Sequence, residues 1–408
     1  MNLFKKQPKT QYIALDIGTG KAKALQYDFE SSTGNLYVKG IGLNQHREGN
    51  IHYGNITNTQ EVAQTVYHTI VESNHLESLA EQALVIGTSG IYTEDRTYHM
   101  SHIRTKVNKK ISRKEFQEIF GIVAERLVSE HATLMRSFRQ TMVLAQSSIK
   151  EVRIDDIPVA NPIGATGSKV DLIVHNTYVP EEHLKQITQI SQEIQIPVAG
   201  VFSETYATTK LLVDSFAGES LSMVLVDVGA WNTNVSVIQK NELKYSNSYS
   251  IGGHHFTRQL ADHLETNNHE AEVLKLQYSQ AQLPKNISLK IADLIKEDIR
   301  YWSAGLTLAL EEASQALQTD LPSHLVLYGG GASLIGLKES LEYGNWYQDL
   351  SFGSKPLVSI FQPKSLPKIV DNTNKLGGPE HINLLGLANI SARMEEENLF
   401  YDSKFNTL

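Results

Sequence analysis

The chain has 408 residues, 45 acidic against 37 basic side chains for a formal net charge of −8, and no cysteine. That length supports two to three domains with a sizeable core. The lack of thiols excludes disulfide frameworks, thiolate zinc sites and thiol nucleophiles, and the acidic balance argues against a broad nucleic-acid surface, which needs cations to displace phosphate counterions.

In chain order, Met1 to Thr10 carries lysines with no apolar segment behind them, so no signal peptide is expected. No apolar run approaches the roughly 18 residues that span a bilayer, and a cytoplasmic location is the default. Tyr12 to Leu25 is an apolar strand, a Gly18-Thr19-Gly20 turn and a second β-like run, a hairpin with Asp16 at its tip. Gln60 to Ser73 and Arg113 to Glu130 have apolar residues at helical spacing. Between Thr93 and Val179 lie a helix, two β-like runs (Gln140 to Leu144, Lys169 to His175) and a turn, Asn161 to Gly167, which together suggest a small inserted subdomain. Glu181 to Ile194 is amphipathic. Ser222 to Ile238 repeats the hairpin grammar with Asp227 at its tip, and two such hairpins half a chain apart suggest a duplicated domain. Thr257 to Tyr278 and Leu289 to Leu317 are the longest helical patterns, and the stripe in the second, Trp302 included, is a core face. His324 to Leu337 is a strand, the turn Gly329-Gly330-Gly331 and a helix. Ala392 to Leu408 is a polar, acidic tail.

The turns carry the chemistry. Glycine lets backbone N–H groups approach a phosphate without a Cβ in the way. Gly18 and Gly20 suit that approach, Thr19 and Lys21 can reach phosphate oxygens, and Asp16 can hold a water-coordinated magnesium. Asp227, Gly229 and Thr233 repeat the design, although bulky Trp231 stands where a phosphate turn favours glycine. Gly329 to Gly331 can let a base or ribose lie flat on the backbone. Each turn taken alone is also compatible with a plain structural hairpin; their order and spacing together favour a nucleotide. The 15 histidines are scattered, His254-His255 reads as a surface loop, and no Gly-x-Ser-x-Gly elbow or zincin motif is present.

These residues resemble the superfamily of actin, the DnaK-type chaperones and the sugar kinases. Within it the chain resembles the bacterial cell-division family FtsA, from about Tyr12 to Ile390. Further matches are Asn161 to Gly167 with Val170-Asp171-Leu172 and His175, Ser250 to Thr257 with Ala271-Glu272 and Lys275, and Leu384 to Ala388. The resemblance implies an α/β, duplicated ribonuclease-H-like fold, two lobes around a nucleotide cleft, with a small α+β subdomain inserted in the first. Its divisions would be 1–93 for the start of the first lobe, 94–180 for the insert, 181–355 for the second lobe, 356–391 for the return, and 392–408 for the tail. It implies ATP with Mg2+, metal-facing Asp16 and Asp227, Glu272 and Lys275 near ribose and adenine, and Glu204 orienting the attacking water. Weak ATPase activity at most, filament formation and an FtsZ-like division partner follow from it.

Two departures bear on this. Ala230, Trp231, Asn232 and Asn234 replace the family's usual Gly-Gly, Thr-Thr and Asp, which puts hydrolysis in question. The family's basic amphipathic membrane helix has no counterpart in a tail with Glu395 to Glu397 and Asp402, and Leu3 to Lys6 is too short to replace it, so membrane contact is expected to be indirect. Alternatives on the same fold are a PilM-like type IV pilus scaffold, a small-molecule kinase and a platform that binds nothing.

Overall fold

The computed structural model describes residues 11–52, 54–73, 82–90, 93–134 and 141–397. The first sheet starts as an antiparallel meander, β1 (Gln11–Ile17), β2 (Lys21–Glu30) and β3 (Asn35–Gln45). Alternation along β1 sends Ile13 and Leu15 into one core and Ala14 into another, so both faces of the sheet are covered. A small hairpin, β4 (Ile51–His52) and β5 (Asn55–Ile56), leads into α1 (Thr59–Ser73), which crosses to β6 (Gln82–Thr88), parallel to β1. Helix α1 presses on β3 where the strand has no side chains. A Cβ on Gly40 or Gly42 would overlap the Ser73 or Thr69 carbonyl oxygen.

After β6 the chain builds a separate sheet from β7 (Glu94–Ile103), β8 (Met142–Ile154), β9 (Ile157–Pro158) and β10 (Lys169–Pro180), in the order β7-β10-β8-β9. Helix α2 (Arg113–Leu134) covers it, with Phe116, Ile119 and Phe120 on Val152, Val170, Leu172 and Val174. Strands β8 and β10 run longer than their apolar patterns suggested, and Gln140 lies outside the described residues. The guanidinium of buried Arg104 fastens the turn ending at Gly167. It donates to the Gly167 carbonyl at 2.6 Å, the Lys109 carbonyl at 2.9 Å and Glu115 at 2.9 Å.

The chain then returns to the first sheet through α3 (Glu181–Ile194), β11 (Val198–Ser203) and α4 (Glu204–Ser215). Strand β11 pairs in parallel with β6, so 181–215 lies with the first lobe and not, as the sequence suggested, with the second. An amphipathic helix at 181 does not reveal which sheet it covers; the pairing of the strand behind it does.

The second sheet comprises β12 (Met223–Val228), β13 (Thr233–Gln239), β14 (Glu242–Tyr249), β15 (His324–Tyr328) and β16 (Leu357–Ile360), ordered β14-β13-β12-β15-β16. The first sheet reads β3-β2-β1-β6-β11, the same order of third, second, first, fourth and fifth strand, with the short β17 (Ile369–Asp371) added beside β3. The fold is the actin-like doubled α/β architecture. Around the second sheet pack α5 (Gly253–Leu264), α6 (Asn268–Ser279), α7 (Lys285–Leu317) and α8 (Leu337–Tyr343). The single helix expected over 257–278 is two: Glu265 turns left-handed at φ 51° to end α5, and the Asn267 side chain caps α6 by accepting from the Glu270 amide at 2.9 Å. Helix α9 (Ile382–Glu397) comes back to pack on α4 and β1, and it runs past Ala392 into the stretch expected as tail; 398–408 and Leu3 to Lys6 lie outside the described residues. Among the described residues, no helix is long and apolar enough to cross a membrane.

Gly42→Ala should destabilise the protein by about 1–3 kcal/mol through overpacking. A thermal melt indistinguishable from wild type would show that α1 does not press on β3 as described.

Candidate functional site

Two strands end at the cleft with a carboxylate each, Asp16 on β1 and Asp227 on β12, both nearly fully buried. The hairpin register sets Lys23 opposite Asp16, and its ammonium lies 2.7 Å from Asp16 Oδ2. A third buried carboxyl, Glu204, opens α4 behind the capping hydroxyl of Ser203, which accepts from the Tyr206 amide at 3.2 Å. Asn383, in the first turn of α9, links the lobes. Its Nδ2 donates to Glu204 Oε2 at 3.1 Å and to Asp227 Oδ2 at 2.9 Å, while its Oδ1 accepts from Thr208 at 2.9 Å. Asn234 adds a donor to Asp227 at 3.3 Å. Three carboxyls thus share one ammonium and two amides.

The electrostatics follow from that crowding. Burial pushes Glu204 well above the carboxylate range, and the charges of Asp16 and Asp227 push it further. Burial also raises Asp227, against Asn383 and Lys23. For Lys23, burial alone favours the neutral amine; Asp16, with Glu204 and Asp227 behind it, outweighs that and holds the ammonium above its usual value.

The glycine turns meet at the same place. A Cβ on Gly18 would sit 3.3 Å from Asp16 Oδ1, and one on Gly20 would sit 3.5 Å from the Ala230 Cβ, so the two hairpin tips touch across the cleft. The second tip is pinned from behind, because the Gly229 and Ala230 carbonyls accept from the Gly253 amide at 2.9 Å and the His254 amide at 2.7 Å at the start of α5. Gly329 adopts φ +85° directly against Asp227 Oδ1, where no Cβ would fit, and Gly331 lies against Val228 in the same way. A Cβ on Gly330 between them would make ordinary contact with the Glu380 Cβ at 3.8 Å. Thr19 and Lys21 are half-buried at the first tip, and the Lys21 charge is felt by Glu272 and Lys275 on the facing lobe.

Two expected contacts are placed differently. The Thr233 hydroxyl is buried away from the cleft, donating to the Ile251 carbonyl at 2.6 Å and accepting from the Trp302 indole at 2.9 Å. Strand alternation decides this: Thr233 shares the core face of β13 with Val235 and Val237, so Asn234 is the residue that faces Asp227. Trp302 is core, as its stripe predicts, with a polar task as well. The Lys275 ammonium is already satisfied by the Gly253 carbonyl at 2.8 Å, Thr257 at 2.7 Å and Glu272 at 2.7 Å, which leaves it bracing α5 to α6. Glu272 keeps an exposed edge, its carboxylate held below the ordinary range: burial opposes ionisation but the Lys275 ammonium overcomes it.

Sequence reasoning missed Lys23, Asn234 and Asn383. The first was countable, since closing a hairpin around Gly18 to Gly20 puts Asp16 and Lys23 in register. Asn383 stands alone as a polar residue among Ile382, Leu384, Leu385 and Leu387, all buried. Trp231, read as an intruder, packs its ring against His52 of the first lobe at 5.1 Å and His254 of the second at 4.4 Å.

For a metal, the donor set is selective. Among the described residues no group of three or more His, Asp or Glu can hold an ion directly. Asp16 and Asp227 face one another from opposite lobes, and the buried amide oxygens of Asn232 and Asn234 lack partners among the described residues. Separated carboxylates plus unsatisfied acceptors suit a magnesium that keeps its waters, because those waters are the donors such oxygens need.

Residues 224–386 match the family model "Cell division protein FtsA". The FtsA of Enterococcus hirae is 20% identical over 403 residues, covering 94% of this chain and 84% of that protein. The Pseudomonas aeruginosa FtsA is 21% identical over 351 residues, covering 81% and 80%. This chain is similar to FtsA along most of its length. A solved structure titled "PilM-PilN type IV pilus biogenesis complex" superposes with a TM-score of 0.66 at 18% identity, covering 94% of this chain and 99% of that one, a likeness of fold. The family match spans the second hairpin, Gly329 to Gly331 and Asn383, while Asp16, Lys23 and Glu204 lie outside it.

Glu204 sets a pH dependence. Its folded-state pKa is raised, so above the unfolded value near 4.5 the folded chain binds a proton that the unfolded chain releases. The stability from this group is full below that value and declines as pH climbs toward the folded pKa. Glu204→Gln, which keeps an acceptor for Asn383 and cannot ionise, should gain melting temperature over wild type progressively from pH 5 to pH 8. A difference that stays constant across that range would contradict the assignment.

Proposed function

We propose that the chain binds ATP with magnesium between its lobes and acts as an FtsA-like protein of the bacterial division machinery. The observation that supports this best is the approach of the two hairpin tips to each other at Gly20 and Ala230, with Gly329 against Asp227 at the end of β12. Asp16 and Asp227 would hold the metal through its waters. Gly18, Thr19, Gly20 and Lys21, with Lys23, would meet the phosphates on one side and Gly229 on the other. Gly329 to Gly331 would lie along the adenosine, with Glu272 at its edge. Bound magnesium would neutralise the phosphate oxygens between the two carboxylates.

Glu204 would orient a water. Burial and the charges of Asp16 and Asp227 hold its carboxyl well above the ordinary range, so the ionised form that could accept a proton is disfavoured, which fits slow turnover at most. ATP contacting both lobes would favour one relative lobe position and, through it, the surfaces used for self-association and for an FtsZ-like partner at the cytoplasmic face of the division site. The fold shared with the PilM complex leaves a pilus scaffold as the reading to test against.

Calorimetry with ATP and magnesium should show binding to wild type, and a loss of about tenfold or more for Asp16→Ala and for Lys23→Ala, the scale of a hydrogen bond to a charged group. No binding by wild type would refute the nucleotide reading. Separately, a tail peptide of FtsZ should co-purify with the chain and an inner-membrane pilus tail peptide should not; the reverse result would replace the division role with the pilus one.

A further inference from the structure

His46 follows β3 and begins the segment 46–50 that crosses toward the second lobe. Its amide donates to the Gly20 carbonyl at 3.1 Å, which ties the residue to the first hairpin tip. Two residues on, Glu48 accepts from Asn268 of the second lobe at 2.9 Å. The His46 side chain is 6% exposed, and neither ring nitrogen has a partner among the described residues. Asp16 is close enough for its charge to act on the ring.

An imidazole buried with both nitrogens unsatisfied is costly, since each forfeits its hydrogen bond to water. Had packing alone been required here, an apolar ring would do it without that cost. A buried polar group without a partner calls for an explanation, and a ligand that supplies the missing partner is one. The second lobe carries two further buried atoms without a partner among the described residues, Asn232 Oδ1 and Asn234 Oδ1, both acceptors. The ring offers the complementary chemistry, an N–H donor. Burial keeps it neutral, with its pKa down to about 4.

We infer that His46 is a nucleotide-positioning residue whose ring N–H donates to an oxygen of the terminal phosphoryl group. His46 sits beside Gly20, at the tip that meets Ala230 of the second hairpin, which in the ATP reading is where the phosphates would lie. A neutral donor there reads the presence of the last phosphate without adding charge to a site that already holds the Lys23 ammonium. The asparagine oxygens of the second lobe would take donors from metal-bound water. This inference rests on the reading of the cleft as an ATP site.

The test uses the full chain with ATP·Mg and ADP·Mg in calorimetry, on wild type, His46→Phe and His46→Gln. His46→Phe keeps a ring of similar size and removes both open nitrogens, so its melting temperature should equal or exceed that of wild type. Its ATP affinity should fall about tenfold, and its ADP affinity should change by less than about twofold. His46→Gln, which retains an N–H, should keep more ATP affinity than His46→Phe. Equal effects on ATP and ADP, or none on either, would overturn the role of His46 while leaving the cleft reading intact. Failure of wild type to bind any nucleotide would overturn both, and that result appears before any variant is measured.

Discussion

Three buried carboxyls around one lysine are the constraint on which the rest of this structure depends. Charges taken out of water are costly unless they are paired and hydrogen-bonded. Here Asp16 has the Lys23 ammonium, Asp227 has two amide donors, and Glu204, whose ionisation burial opposes, accepts from Asn383. The partners come from β2, β13, α4 and α9, so the cluster exists only when both lobes and the returning helix are in place. The cleft's electrostatics are therefore also a condition on its assembly.

The second hairpin shows how a departure from a family pattern is absorbed. Trp231 fills the gap between His52 and His254, so a side chain spans the lobes where glycine would leave the backbone bare. The carbonyls of Gly229 and Ala230 are already occupied by the start of α5. The tip is consequently held on both sides before any ligand arrives. On the far side of the cleft, Asp95 at the base of the insert bonds Ser203, Thr177 and His175, and the His175 ring stacks on Tyr206 at 3.8 Å. That polar cluster ties the first lobe, the insert and helix α4 together.

Glycine marks close approach at several levels of the fold. Gly40 and Gly42 admit α1 onto β3, and Gly386 admits α9 onto the Ala207–Thr208 backbone. Gly329 and Gly331 admit the third turn against the end of β12. Only the last pair belongs to the site, and nothing local distinguishes it from the others. Glycine in a turn signals nearness to something; the partner is a matter of topology.

Short-range regularities carried much of the organisation. Strand alternation and Gly-rich tips were enough for both hairpins, and helical spacing placed α3 and most of α7, because these depend on neighbours two to four residues away. The two Asp-bearing tips, their duplication and a glycine turn that would join them were legible for the same reason. Which lobe 181–215 joins, which face of β13 Thr233 occupies, and that Asn383 meets Glu204 and Asp227 were decided by pairings between residues far apart in the chain. A carboxylate's partner, a hydroxyl's direction and a histidine's lack of any partner are properties of the surrounding packing, and packing comes into being only when distant segments meet.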